Sequence, residues 1–445
     1  MKFGGTSVGD VAAFERVIKV VSSQSEKRPV VVVSAMTKVT DALLTAFEIA
    51  KRGDASAAAS SLEPHYLRHV EVTEDFIPFG QRKAFNEELG YAREELTDLL
   101  TRASRRSLPL SMLKDAIVSY GEQLSSRLLV EVLKTKGVSA RQLDSRRLIV
   151  TDDEFGAAQP IWDETAELLR LELPPLIEAG EIPVMGGFIA GNRAGETTTL
   201  GRGGSDFTAA MVAAALNARE LQIWTDVTGV MTCDPRICTD ASTIPVLSYE
   251  EAAELAYFGA KVLHPKTIKP AVDHAIPVRV CNTFQPEKVG TMILGRSNEA
   301  PNKIKSIASK KNITIVRITS ARMLGAYGFM SAVFQVFDRH RTVIDVISTS
   351  EVSVALTLDG TDNLEKLVDD LRRLGDVEVE RGYAVICVVG EGLRASTGLA
   401  SKIFSTIEDV NVALVSHGAS AVNLTFVVKE EDAASVIKKL HGEFF

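Results

Sequence analysis

Up to about residue 300 the chain alternates short, almost unbroken apolar runs with longer helical patterns, and this alternation restricts the fold more than any other feature. The runs are Pro29 to Ala35 (PVVVVSA), Ile182 to Ile189 (IPVMGGFI), Leu221 to Thr225 (LQIWT) and Ile276 to Cys281 (IPVRVC). Strands apolar on both sides must be covered on both faces, so a mainly parallel sheet between helical layers is expected. Helices are expected at Thr40 to Lys51, Leu110 to Lys136, Asp163 to Ala179, Ser205 to Ala218 and Tyr249 to Phe258.

The texture changes around Ser297 to Asn302, a short polar stretch with a proline. A repeated unit follows. Lys311 to Thr319, Val343 to Ser348 and Ser353 to Asp359 read as strands of a first βαββα cycle, with helices at Gly328 to His340 and Leu364 to Leu374. Glu378 to Val389, Val410 to Ser416 and Ala421 to Val428 read as strands of a second, with helices at Ser396 to Ile407 and Ala433 to Leu440. Two such cycles read as paired ferredoxin-like regulatory modules. The expected division is 1–298, 305–380 and 381–445, with room for strands to be exchanged between the last two.

Composition removes several function classes. The net charge of −8 argues against broad binding to a nucleic-acid backbone. Residues 300–445 hold 17 basic and 18 acidic side chains, so nearly all of that charge belongs to the first part, where an anionic ligand needs local donors. No apolar run approaches the ~20 residues of a membrane-spanning helix. Four cysteines without a Cys-x-x-Cys pair fit a reducing compartment, and neither a zinc site nor a disulfide framework is expected. The first residues resemble no leader peptide, so a cytoplasmic address is expected.

Three glycine-rich junctions carry candidate chemistry. The first, Lys2-Phe3-Gly4-Gly5-Thr6-Ser7, precedes an amphipathic helix. Its glycines let a ligand approach the backbone, and Lys2 adds a mobile charge, though taken alone the motif reads first as a structural turn. It lacks Walker A spacing. The second, Thr199 to Asp206 (TLGRGGSD), places Ser205 or Asp206 to cap a helix, and the glycine-flanked Arg202 beside that helix start can grip a carboxylate. The third, Trp224-Thr225-Asp226-Val227, ends a buried strand, where ligands of open α/β sheets bind, and leads to Cys233-Asp234-Pro235-Arg236. Gly121 sits inside a helical pattern at a cost of about 1 kcal/mol unless close packing or a ligand needs it. Lys261 lies in a bend between Gly259 and Pro265, where a solvated lysine is the ordinary expectation.

Together these segments resemble the aspartate kinases of the amino-acid kinase family, most closely the lysine-sensitive, monofunctional ones. The resemblance rests on Lys2 to Ser7 (KFGGTS), Thr40, Gly121-Glu122, TLGRGGSD, WTDV, DPR at Asp234 to Arg236, FGAKVLHP at Phe258 to Pro265, and Ser348 to Asp359 (STSEVSVALTLD). It implies an α/β fold: a three-layer sandwich with a mainly parallel central sheet, followed by two ferredoxin-like (βαββαβ) ACT regulatory modules. The activity it implies is ATP- and Mg²⁺-dependent phosphorylation of the L-aspartate side-chain carboxylate. Lys2, Phe3, Gly4 and Gly5 would line the ATP phosphates, with Thr225, Asp226, Met231, Arg236, Lys261 and Val262 on the nucleotide side. Thr40, Glu122, Arg202, Gly203, Gly204 and Ser205 would hold aspartate, Glu122 meeting its ammonium, and Asp206 would organise Lys2. The metal ligands are unassigned. Relatives carry more apolar residues before the lysine, so the first strand is either truncated or short of support for Lys2. Where many have an aromatic residue against the base, this chain has Met231.

For regulation, Met323, Gly328, Phe329, Asp345, Thr349, Ser350 and Glu351 match effector-binding positions, with lysine the first expectation. Ala326 lacks a hydroxyl found in some relatives, so threonine or an insensitive enzyme stays open. A homodimer or larger homo-oligomer is implied, without nucleic-acid or membrane partners. At this length a fused dehydrogenase, which some aspartate kinases carry, is not expected. Two other readings remain: a kinase of glutamate, N-acetylglutamate or a nucleotide monophosphate, and an inactive kinase-like amino-acid sensor.

Overall fold

The alternation produces a sheet whose centre is its shortest strand. In a computed structural model, which describes residues 1–259, 263–295, 303–325, 327–360 and 363–445, the chain divides into two units. One comprises Met1–Gly229 and Val262–Gly295, the other Val230–Lys261 and Arg296–Phe445. The segment expected as a domain boundary, Ser297 to Asn302, lies outside the described residues, as do Ala326, Lys261 and Val262.

In the main sheet of the first unit the strands lie in the order Ala140–Leu143, Ile182–Gly186, Val31–Val33, Lys2–Phe3, Leu221–Thr225, Val278–Asn282 and Thr291–Leu294. All pairings are parallel except the last. Lys2 is level with Val32 on one side and Ile223 on the other, and Phe3 with Val33 and Trp224. The first strand is therefore present as two central residues, paired on both sides, and Lys2 does not lack support. Phe3, Val31 and Val33 join Phe14, Phe47, Leu113 and Leu128 of the covering helices in one core.

The helix expected over Leu110 to Lys136 is two helices, Leu110–Val118 and Tyr120–Thr135, joined at Ser119. The break places Glu122 in the first turn of the second helix, facing the sheet. Gly121 is explained by close packing, since a Cβ there would lie 2.7 Å from the Cβ of Ala35. The expected cap at Ser205 or Asp206 is corrected: the helix is Gly204–Ala215, capped by Gly203 in the left-handed region (φ 76°). Both polar side chains thereby fall in its first turn and are released for other contacts.

In the second unit a six-stranded antiparallel sheet has the order Ile347–Thr349, Ser353–Leu358, Ile304–Thr319, Asp376–Gly390, Asn423–Lys429 and Leu414–His417. Its two central strands are long and serve two cores. Val316 and Ile318 pack with the helices Phe329–Arg339 and Leu364–Leu371, whereas Ile304 and Ile307 pack with Ile386, Val388 and the C-terminal helix Glu430–Phe444. A division into 305–380 and 381–445 thus leaves Ile307 with the module whose core it does not fill, and Ile304 with neither. Among the described residues no helix is long and apolar enough to cross a membrane.

Candidate active site

The carboxyl ends of the central parallel strands of the first unit open onto a cavity of about 580 Å³. Lys2, Gly5, Thr40, Glu122 and the run Gly201 to Asp206 line it. This is where an open α/β sheet binds ligands, because strand ends and helix starts leave unpaired N–H groups there.

Lys2 projects from the central strand and meets Asp206 at 2.8 Å, with both side chains largely buried. Asp206 holds this cation from the first turn of a helix, a position that itself favours an acidic residue. The Gly4 N–H donates to the Trp224 carbonyl at 3.1 Å, and Ser7 Oγ lies 2.7 Å from Thr283 Oγ1. These contacts bring the glycine turn beside the end of Leu221–Thr225, where Thr225 Oγ1 donates to Asp226 at 3.2 Å. A Cβ on Gly5 would lie 3.0 Å from the Ala35 carbonyl, so the turn is tight at that point.

Opposite lies Glu122, 3% exposed. One carboxylate oxygen accepts from the Ala35 N–H at 3.1 Å, and the other has no hydrogen-bond partner among the described residues. Burial pushes its carboxyl up to about 8, opposed by the hydrogen bond from Ala35. Arg202 lines the same cavity and has no ion-pair partner among the described residues. It is flanked by Gly201 and Gly203, both at positive φ, and a Cβ on Gly203 would lie 2.6 Å from Thr267. Ser205 Oγ accepts from Ser34 Oγ at 3.0 Å.

The cavity so brings together Lys2, Gly5, Thr40, Glu122, Arg202, Gly203, Gly204, Ser205 and Asp206; Phe3 is buried in the core below it, and Gly4, Thr225 and Asp226 follow the neighbouring strand ends. Met231 and Arg236 belong to the second unit, where Arg236 is exposed and paired with Asp234 at 2.6 Å. Sequence reasoning missed Asp115. It is buried, accepts from the N–H groups of Gly156 and Thr199 at 2.8 Å each and from Thr199 Oγ1 at 3.0 Å, and so fixes the strand that leads into Arg202. Burial raises its carboxyl above the usual range against those bonds.

In the second unit Gly328 caps its helix at φ 84°, with Phe329 the first helical residue and Met323 packed on the same core. Asp345 is engaged: Tyr257 donates to it, and Lys310 lies 3.2 Å away. Thr349 ends a strand, Ser350 closes a turn onto Ser353, and Glu351 is exposed.

Comparison with known proteins agrees with this geometry. The profile of the amino acid kinase family matches residues 1–282, and that of an ACT domain residues 386–444. The lysine-sensitive aspartokinase 3 of Escherichia coli (strain K12) is 39% identical over 100% of this chain and 98% of its own length. The crystal structure of E. coli aspartokinase III with aspartate and ADP superposes with a TM-score of 0.83 at 38% identity, covering 100% of this chain and 99% of that one. Its complex with lysine and aspartate gives 0.85 at 38% identity, covering 100% and 98%.

Proposed function

The chain belongs to the amino acid kinase family, in its aspartokinase branch, and from that premise we propose that it transfers the γ-phosphoryl group of ATP to the side-chain carboxylate of L-aspartate, giving 4-phospho-L-aspartate and ADP. One observation carries the choice of substrate: a buried carboxylate with an unpartnered oxygen faces the same cavity as an unpaired arginine. A free amino acid offers the ammonium that Glu122 lacks and a carboxylate for Arg202. An acylated amine offers no cation, which disfavours N-acetylglutamate.

Lys2 neutralises the phosphates, which the turn of Phe3, Gly4 and Gly5 lets come close to the chain, and Asp206 keeps the lysine ammonium in place. Thr225 and Asp226 lie on the nucleotide side, while Thr40 and the Gly203 to Ser205 backbone add contacts to the amino acid. The attacking carboxylate is already ionised at neutral pH, so positioning and charge neutralisation suffice and no general base is required. Asp226 and the Asp206 oxygen not paired with Lys2 would be the hard oxygen donors for Mg²⁺ on a nucleotide, and the ion would add positive charge over the phosphates. For Met231, Arg236, Lys261 and Val262 the nucleotide role rests on the family resemblance alone.

Lysine is the proposed effector, following the lysine-sensitive relative and its lysine complex. Met323, Gly328, Phe329, Asp345, Thr349, Ser350 and Glu351 would bind it. Since Asp345 is already held by Lys310, the ligand ammonium must compete for it, whereas Glu351 is open. A cytoplasmic homodimer, joined through the two regulatory modules spanning 305–380 and 381–445, completes the reading.

Trapping the acyl phosphate as a hydroxamate tests it. Product is expected only with ATP, Mg²⁺ and aspartate together, and less of it when lysine is added. Preferential turnover of glutamate or N-acetylglutamate would overturn the substrate assignment. Amino-acid binding without any turnover would instead favour a sensor.

A further inference from the structure

Two thiols and an imidazole meet in the second unit, and none has a role in the reading above. Cys233 and Cys238 lie on the loop after Val230, and His441 lies on the C-terminal helix Glu430–Phe444. Their donor atoms are all within 4.8 Å of one another, and the three residues are 3%, 7% and 6% exposed. The sequence hid this because Cys233 and His441 are separated by most of the regulatory half.

The loop is folded so as to bring the thiols side by side. The Asp234 carbonyl accepts from the N–H groups of Ile237 at 2.9 Å and Cys238 at 3.0 Å, closing one turn. The Cys233 thiol is within hydrogen-bond reach of Cys238 and lies 3.7 Å from the Asp234 carbonyl oxygen. The imidazole is fixed as well. Its Nε2 is 2.9 Å from Thr232 Oγ1, which accepts from the Ser242 N–H at 3.0 Å, and Phe445 stacks on the ring at 4.8 Å. A hydrogen-bonded, packed imidazole is how metal-ligating histidines are held. The remaining cysteines differ: Cys281 and Cys387 are buried singly, as small apolar side chains commonly are, and Cys387 accepts from Thr425.

We propose that Cys233, Cys238 and His441 form a binding site for a thiophilic divalent cation, zinc by preference, that clips the 230–241 loop to the C-terminal helix. Two sulfurs and one nitrogen suit zinc and exclude Mg²⁺ and Ca²⁺, which take oxygen donors. Tetrahedral bonds of about 2.3 Å to sulfur and about 2.0 Å to nitrogen place the donors roughly 3.5–3.8 Å apart, so they need to close by about 1 Å at most. Water or the Asp234 carbonyl takes the fourth position. Burial, and then its neighbour Cys238, pushes the Cys233 thiol up to about 12. Metal entry replaces two S–H bonds by two S–metal bonds and releases two protons, leaving the buried site neutral.

Titration of the reduced, chelator-treated full-length chain with Co²⁺ under nitrogen tests this site independently of catalysis. One Co²⁺ per chain is expected, with a near-ultraviolet thiolate charge-transfer band and tetrahedral d–d bands in the red, both bleached by one equivalent of Zn²⁺. Cys281→Ser should leave the spectrum unchanged, while Cys233→Ser and Cys238→Ser should each remove about half of the charge-transfer intensity, one thiolate of two. His441→Gln should weaken retention against a chelator. Absence of the band in the unmodified chain overturns the proposal, and that reading does not depend on any variant folding. So does its persistence in the Cys233→Ser/Cys238→Ser double variant, or conversion to an intrachain disulfide in a chain that takes up no metal.

Discussion

Glu122 shows how burial turns an ordinary residue into a reporter. Its folded pKa of about 8 lies above the ordinary 4.5, so below about 8 the empty cavity holds a neutral acid. A substrate ammonium favours the charged form, so binding aspartate must expel a proton. KM for aspartate is therefore expected to fall as pH rises towards 8 and to level off above it, and Glu122→Gln should raise KM and abolish the slope. Stability has the opposite sign. A raised acid pKa contributes stability that is complete below about 4.5 and lost as pH rises through about 8, so the melting temperature of Glu122→Gln should decline less between those limits. At the neighbouring cation, Lys2→Ala should lower kcat by about 10²–10³-fold with a small change in KM for aspartate, the pattern of a lost charge at the transferring phosphoryl. Arg202→Ala should act mainly through KM. Lys2 and Arg202 could be read from the sequence because each interrupts a local pattern, a lysine ahead of two glycines and an arginine between glycines, whereas Glu122 comes from the family resemblance, with only the helical Gly121 marking its place. Asp115 could not be read, since its partners Gly156 and Thr199 lie 41 and 84 residues along the chain.

At the scale of elements, the apolar pattern located segments better than it located their ends. Leu221–Thr225 is found where expected because its run is bounded by polar residues on both sides. The helix break at Ser119 is invisible, since the apolar spacing continues through it. The strand Ile304–Thr319 was expected only from Lys311, because the polar Lys310, Lys311 and Asn312 sit at a register shift in its middle. Such irregularities depend on the partner strand and leave no mark on local periodicity. The contact between the second helix and the Ala35 methyl group is a tight one and gives an element-scale prediction. Gly121→Ala puts a methyl group 2.7 Å from the Ala35 Cβ, and should cost about 1–3 kcal/mol in urea unfolding despite the better helix propensity of alanine. Ala35→Gly in the same chain should restore part of the loss. A Gly121→Ala chain as stable as the parent would show that helix and strand can slide apart, and the rigid placement of Glu122 would then be wrong.

For the whole molecule, the decisive feature is that the sequential repeats are not the structural ones. Reading two βαββα cycles in order places a division at 380/381, with room for strands to be exchanged between the modules. The long central strands show that cutting the chain there would open a shared core. Ile304 and Ile307 are buried against Ala384, Ile386, Val388 and Leu440, and Lys310 to Ile304 pairs along Val385 to Gly390. Cys233 and Cys238, from before the repeats, share that core. A chain ending at residue 380 would uncover the apolar face of Ile304–Lys310 and leave one of its edges without the partner strand, and exposed strand edges of this kind pair with other chains. Such a chain is expected to be insoluble or to scatter light at micromolar concentration, and to lose kinase activity and lysine response together with its solubility. Recovery of a soluble, active 1–380 chain would mean that the first strand of the sheet has a second partner, and that the repeats fold in sequence order after all.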